Sequence, residues 1–102
     1  MYLIHLLLPL HDNNKQKFPS AYFDRVRAEL TDRFGGVTAF LRSPAVGLWK
    51  EDNEEVSRDE VVMFEVMSAE LDRSWWSDYR TELQERFQQE ELLVWAESVT
   101  KL

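Results

Sequence analysis

Few side chains in this 102-residue sequence combine acid–base capacity with an apolar setting. His5 stands inside the apolar stretch Met1–Leu10 (MYLIHLLLPL), and Glu65 is the only charge in the apolar run VVMFEVMS, 61–68. Trp95 and Glu97 share a third such segment, LLVWAESV, while Phe40 and Arg42 lie in a fourth, VTAFLR. A carboxylate beside an imidazole orients its tautomer and favours its charged form, the arrangement that general acid–base chemistry needs. An arginine beside such a pair supplies a fixed positive charge suited to a carboxylate or phenolate. His5, Phe40, Arg42, Met63, Glu65 and Trp95 are therefore the ligand-binding candidates, and no residue is assigned a catalytic role. The competing reading is a polar pair satisfied within an interface, since perturbed pairs also occur for structural reasons.

Other chemistries find less support. His5 and His11 with Asp12 match no recognised metal-ligand spacing, and Pro9 intervenes, so neither a metal nor another cofactor is expected. Cysteine is absent, which removes disulfides, thiolate metal sites and Cys nucleophiles together. Ser20, Ser43, Ser57 and Ser74 lack a nucleophile-elbow context, and Gly35-Gly36 follows a helical pattern where a phosphate loop would open one. Twelve Lys+Arg against nineteen Asp+Glu give a net charge of −7, which argues against a nucleic-acid partner. The run 51–60 (EDNEEVSRDE) carries six acidic residues and one basic residue; it reads as a solvated hairpin tip, or as the contact surface for a basic partner. Met1–Leu10 lacks a basic flank and falls far short of the ~20 apolar residues that cross a bilayer, so no membrane association and a cytoplasmic location are expected.

Positioning those residues falls to short strands and two helices. Tyr2–Leu8, closed by Pro9, has the length of a buried strand. His11–Lys17 is a polar connection, after which Ser20 is the expected cap of a helix reaching Phe34, with Phe23, Val26, Leu30 and Phe34 on one face. Gly35-Gly36 ends it. Val37–Leu41 predicts a second strand that resumes around Val46–Lys50, turns at Glu51–Glu54 and returns from Val56 into a third, Val61–Met67. Asp72 caps a second helix extending to Gln89, with Trp76, Tyr79, Leu83 and Phe87 at the same intervals, and Leu92–Val99 is the fourth strand. Trp75, off that stripe, is expected to cover a sheet edge or an interface seam.

The two helical segments align residue for residue at an offset of 53: Phe23-x-x-Val26-Arg27-x-Glu29-Leu30-x-Asp32-Arg33-Phe34 against Trp76-x-x-Tyr79-Arg80-x-Glu82-Leu83-x-Glu85-Arg86-Phe87. With a strand on either side of each helix, the chain reads as one α+β domain over 1–102. Its plan is ferredoxin-like βαββαβ, a four-stranded antiparallel sheet with both helices on one face. In that strand order the first and third strands are neighbours, which brings His5 towards Glu65. The face away from the helices would carry Leu3, His5, Leu7, Val61, Met63, Glu65, Met67, Leu93 and Trp95. That composition is too apolar to face water, and a second copy is the simplest cover, so a homodimer is expected.

The Phe34-Gly35-Gly36-x-Thr38 corner, and Gly47-x-Trp49 followed by Arg58-Asp59-Glu60 across the hairpin, resemble small bacterial proteins of the dimeric α/β-barrel, ferredoxin-like group. The likeness covers nearly the whole chain. It implies two sheets packed face to face across a dimer, with a small molecule between them in the enzymatic members. That group includes monooxygenases, heme-degrading enzymes, isomerases and proteins with no known activity, and no catalytic motif of a characterised member is present here. Two functions follow as expectations: a small-molecule-binding dimer using the sheet face, or a non-catalytic protein–protein interaction module using the acidic hairpin.

Overall fold

In the computed structural model, residues 1–42, 49–50, 56–57 and 60–102 are described as backbone, and side chains are described outside 39–59. The elements run β1 (Tyr2–Pro9), α1 (Ser20–Phe34), β2 (Thr38–Arg42), β3 (Trp49–Lys50), β4 (Val56–Ser57), β5 (Val61–Ser68), α2 (Arg73–Arg86) and β6 (Val94–Ser98). The fold is mixed α+β, two helices against an antiparallel sheet in which β1 is flanked by β5 and β6, with β2 added beyond β5 in the order β2-β5-β1-β6. The two limbs of the expected hairpin, β3 and β4, pair with each other, Trp49 opposite Ser57 and Lys50 opposite Val56, in a second sheet; Val46–Leu48 and the turn Glu51–Glu54 lie outside the described residues.

Alternation along the central strands decides which residues meet the helices. Ile4, Leu6 and Leu8 on β1 and Val62, Phe64 and Val66 on β5 form one buried layer, because side chains two apart on a strand share a face. Against it pack Phe23, Val26 and Leu30 of α1 and Trp76, Tyr79 and Leu83 of α2, the residues of the two matching stripes. Phe87 and Leu92 complete this layer after α2, so β6 begins two residues later than the apolar pattern suggested.

The helix ends differ from expectation in instructive ways. Pro19, not Ser20, occupies the N-cap of α1 and provides no side-chain bond; its fixed φ suits the chain entering a first turn that begins at Ser20. Gly35 ends α1 in the left-handed conformation at φ 80°, its N–H donating to the Thr31 carbonyl. Asp72 caps α2 as its residue type implies, accepting from the Trp75 backbone N–H. That helix stops at Arg86 rather than Gln89, because Gln88 takes a positive φ of 55° and redirects the chain.

Two polar ties join the helices. Arg86 donates to both oxygens of Glu29 at 2.6 and 3.1 Å, and the Tyr79 hydroxyl donates to Glu29 at 3.1 Å. At the other tie Arg33 meets Asp72 at 3.5 Å and lies 4.2 Å from the centroid of Trp75. Trp75 therefore does not cover a sheet edge: it stacks on Tyr79 and sits edge-on to Phe34 at the junction of the helices.

Burial alone would push the Glu29 carboxyl upward, but Arg86, Tyr79 and Arg25 outweigh it and hold the group below its usual range. A carboxylate whose pKa is depressed by folding contributes stability that is complete above its unfolded value, near 4.5, and is lost as pH falls through the folded value. We expect Arg86→Met to lose about 2 kcal/mol of unfolding free energy at pH 7. Its deficit relative to the wild type should shrink on acidification below that window. Urea titrations at pH 7 and pH 3 measure both, and an equal deficit at the two pH values would show that Arg86 acts through packing alone.

Candidate functional site

The register of β1 with its two neighbours assembles the site from single residues of three strands. His5 is directly opposite Glu65 on β5 and directly opposite Trp95 on β6, so all three side chains share the face away from the helices. The imidazole stacks on the Trp95 ring with centroids 4.6 Å apart and planes 13° from parallel. Its Nδ1 lies 3.4 Å from a Glu65 carboxylate oxygen, and its Nε2 lies 3.9 Å from Glu97. Glu97 is itself turned by the Trp95 indole N–H, which donates to it at 3.4 Å.

His5 is only 7% exposed, yet neither ring nitrogen has a hydrogen-bond partner among the described residues. The Glu65 contact is close enough for Coulomb attraction but lacks hydrogen-bond geometry, and 3.9 Å to Glu97 is beyond direct bonding. Burying an imidazole without hydrogen bonds is costly, and both ring nitrogens are closed off from solvent, so a bonding group reaches the ring only by displacing one of its neighbours. The pair also has the components for proton transfer, an imidazole with carboxylates at both nitrogens.

Around this cluster the face is apolar but unevenly covered. Met63 is 4% exposed, whereas Met67 and Leu93 are 49% and 57% exposed at its margins. Phe40 and Arg42 lie on β2 as register partners of Met63 and Val61. Their side chains lie outside the described residues, as does the acidic run except for the backbone of Val56-Ser57 and Glu60. His11 and Asp12 sit apart from the site: His11 bridges to Lys17, and the Asp12 carboxylate accepts from the backbone N–H groups of Asn14 and Gln16. The second carboxylate, Glu97, carries more of the geometry than its sequence position suggested, and the two-residue spacing from Trp95 on one strand face is what reveals it.

No family model matches the chain, and neither does any curated protein sequence. Among solved structures it is similar to phage SAM lyase in complex with S-methyl-5'-thioadenosine, with a TM-score of 0.64 and 14% identity over 95% of this chain and 80% of that one. The apo state of phage SAM lyase gives 0.56 and 15% identity over 94% of this chain and 78% of that one. The likeness is one of fold.

The stacked pair is directly testable. A double-mutant cycle on His5→Ala and Trp95→Ala should give a coupling of about 1 kcal/mol in urea unfolding, the usual worth of an aromatic pair beyond its buried area. Strict additivity would show that the two rings are neighbours without mutual stabilisation.

Proposed function

We propose that this chain is a small-molecule-binding domain whose site is the sheet face around His5, on the side away from the helices, and that a second copy covers that face. The observation that carries the reading is the buried, unbonded imidazole held between two carboxylates and stacked on Trp95. Two carboxylates beside an aromatic wall favour a ligand with a cationic or hydrogen-bond-donating head and a flat body. The similarity in fold to a SAM lyase makes sulfonium and thioether nucleosides the first compounds to test. Proton transfer by His5 with Glu65 is part of this reading only if a bound ligand turns over.

The dimer belongs to the same proposal. The strand order supports a ferredoxin-like plan, and the exposed Met67 and Leu93 at the margins of the face favour closure against an identical face, as in a dimeric α/β barrel. A bacterial, cytoplasmic setting fits a domain that needs no disulfide; among the described residues no helix is long and apolar enough to cross a membrane. The alternative role in protein contacts falls on the acidic run, whose side chains lie outside the described residues except for Glu60.

Titration calorimetry with SAM and with S-methyl-5'-thioadenosine tests the ligand class. We expect Glu65→Gln and Glu97→Gln each to weaken the sulfonium compound by ~10-fold while changing the neutral thioether little, because a charge-assisted contact is lost only for the cation. Failure of both compounds to bind, or binding that leaves the Trp95 indole resonance unmoved, would remove the site from consideration.

Sedimentation tests the association. The wild type should be a dimer at micromolar concentration, and Met67→Lys should dissociate it by placing a charge in an apolar interface. A monomeric wild type would overturn the closed-face arrangement.

A further inference from the structure

A second candidate lies on the other side of β6. The six arginines of the two helices divide sharply by their surroundings. Arg25, Arg27, Arg33 and Arg86 each meet a carboxylate, at 3.9, 3.0, 3.5 and 2.6 Å in turn. Arg73 and Arg80 have no ion-pair partner among the described residues, although the chain carries a net charge of −7. These two unpaired cations line the same groove, about 260 Å³ in volume, between α2 and β6.

The spacing along α2 explains the juxtaposition. Seven residues are nearly two full turns, so Arg73 and Arg80 stand on one face about 10 Å apart, with Ser77 between them. Arg73 occupies the first residue of the helix, next to the Asp72 cap, whose carboxylate is taken up by the Trp75 N–H and Arg33. The lining contains no carboxylate. Leu71, Val94 and Ala96 give it an apolar wall, and Ile4 contributes from β1, one strand inward of the edge, so the groove reaches beneath the edge strand instead of running along it. A groove of this volume suits a compact ligand better than an extended peptide.

We propose that this groove binds a small organic oxyanion, a phosphate or carboxylate head carried on a flat apolar body. The head sits between the Arg73 and Arg80 guanidiniums, which match the planar, two-oxygen geometry of either group, with the Ser77 hydroxyl as a further donor. The body lies against Leu71, Val94 and Ala96. The volume is at the small end of ligand-sized cavities, which run from ~300 Å³ upward, and admits a bicyclic body but not a dinucleotide. This site is opposite to the His5 cluster in charge preference, and Trp95 borders both.

Calorimetry at low salt with 1-naphthyl phosphate, 1-naphthoate and neutral 1-naphthol tests the proposal, with Trp76 indole shifts as the positional readout. Both anions should bind, 1-naphthol should bind at least ~10-fold more weakly, and the Trp76 resonance should move. Arg73→Gln and Arg80→Gln should each weaken the anions by ~10-fold, and the double variant should abolish measurable binding. Both side chains are exposed and unpaired, so circular dichroism should find these variants folded, and Arg27→Gln on α1 should bind like the wild type. Unchanged affinity in the double variant would overturn the site, as would equal affinity for 1-naphthol. Binding of an acidic decapeptide with no response to either naphthyl anion would overturn it in favour of strand addition at the β6 edge. If only one of the two anions binds, the head group is that one, and the proposal stands for it.

Discussion

The pairing of β1 with β5 sets everything else in the molecule. Its eight residue pairs run from Tyr2 opposite Ser68 to Pro9 opposite Val61, and the same pairs that put Ile4, Leu6 and Leu8 against the helices put His5 opposite Glu65. Because side chains alternate, a slip of one residue would carry the whole apolar set to the open face and His5 into the core. Three side chains on β1, Ile4, Leu6 and Leu8, are essentially fully buried. At ~1.5–3 kcal/mol each, a slip of β1 would forfeit roughly 5–9 kcal/mol, a large part of the stability of a domain this size. The unfavourable burial of one imidazole is small beside that sum. The core thus fixes the position of His5, and the cluster can keep an unbonded ring without threatening the register.

The helices are held by the same stripe used twice, but their charges are not used symmetrically. Glu29 and Glu82 are equivalent under the offset of 53, as are Arg33 and Arg86. Arg86 gathers both glutamates, whereas Arg33 turns to Asp72 and the face of Trp75. Tyr79, equivalent to Val26, adds a hydroxyl to the Glu29 contact, and burial together with the neighbouring carboxylate pushes its own pKa far above the ordinary phenol range. The equivalence persists past the helix ends: Gly35 and Gln88 both adopt positive φ, although only the glycine does so without steric cost. The Gln88 carbonyl accepts from Asn13, a contact that ties this turn to the connection after β1.

The sequence was most legible where one residue type has one physical use. The intervals of 3, 4 and 4 are set by helical geometry, Gly35 by its freedom at positive φ, and Asp72 by the exposed N–H groups of a first turn. The opposition of His5 and Glu65 was legible because strand order and alternation together leave little choice of register. Less legible were features that depend on neighbours distant in sequence. Trp75 looked peripheral because it lies off its helix's stripe, yet the end of α1 supplies the surface it packs on. Nothing in the sequence singles out Arg73 and Arg80; their setting comes from the carboxylates they do not meet among the described residues and from β6 beside them. Ser20 had the right chemistry for a cap, but Pro19 governs where the first turn starts.

One five-residue strand serves both candidate sites. Trp95 and Glu97 lie beside His5, while Val94 and Ala96 border the groove under α2, and Trp95 lines that groove as well. The first surroundings are rich in carboxylate and the second in guanidinium, so the two sides of this strand carry opposite charge. Since β6 has β1 as its described neighbour, the pairs from Tyr2–Ser98 to Leu6–Val94 hold both arrangements in register at once. A substitution that loosened this short ladder would therefore disturb both sites together, whereas changing one side chain on either face leaves the other face in place.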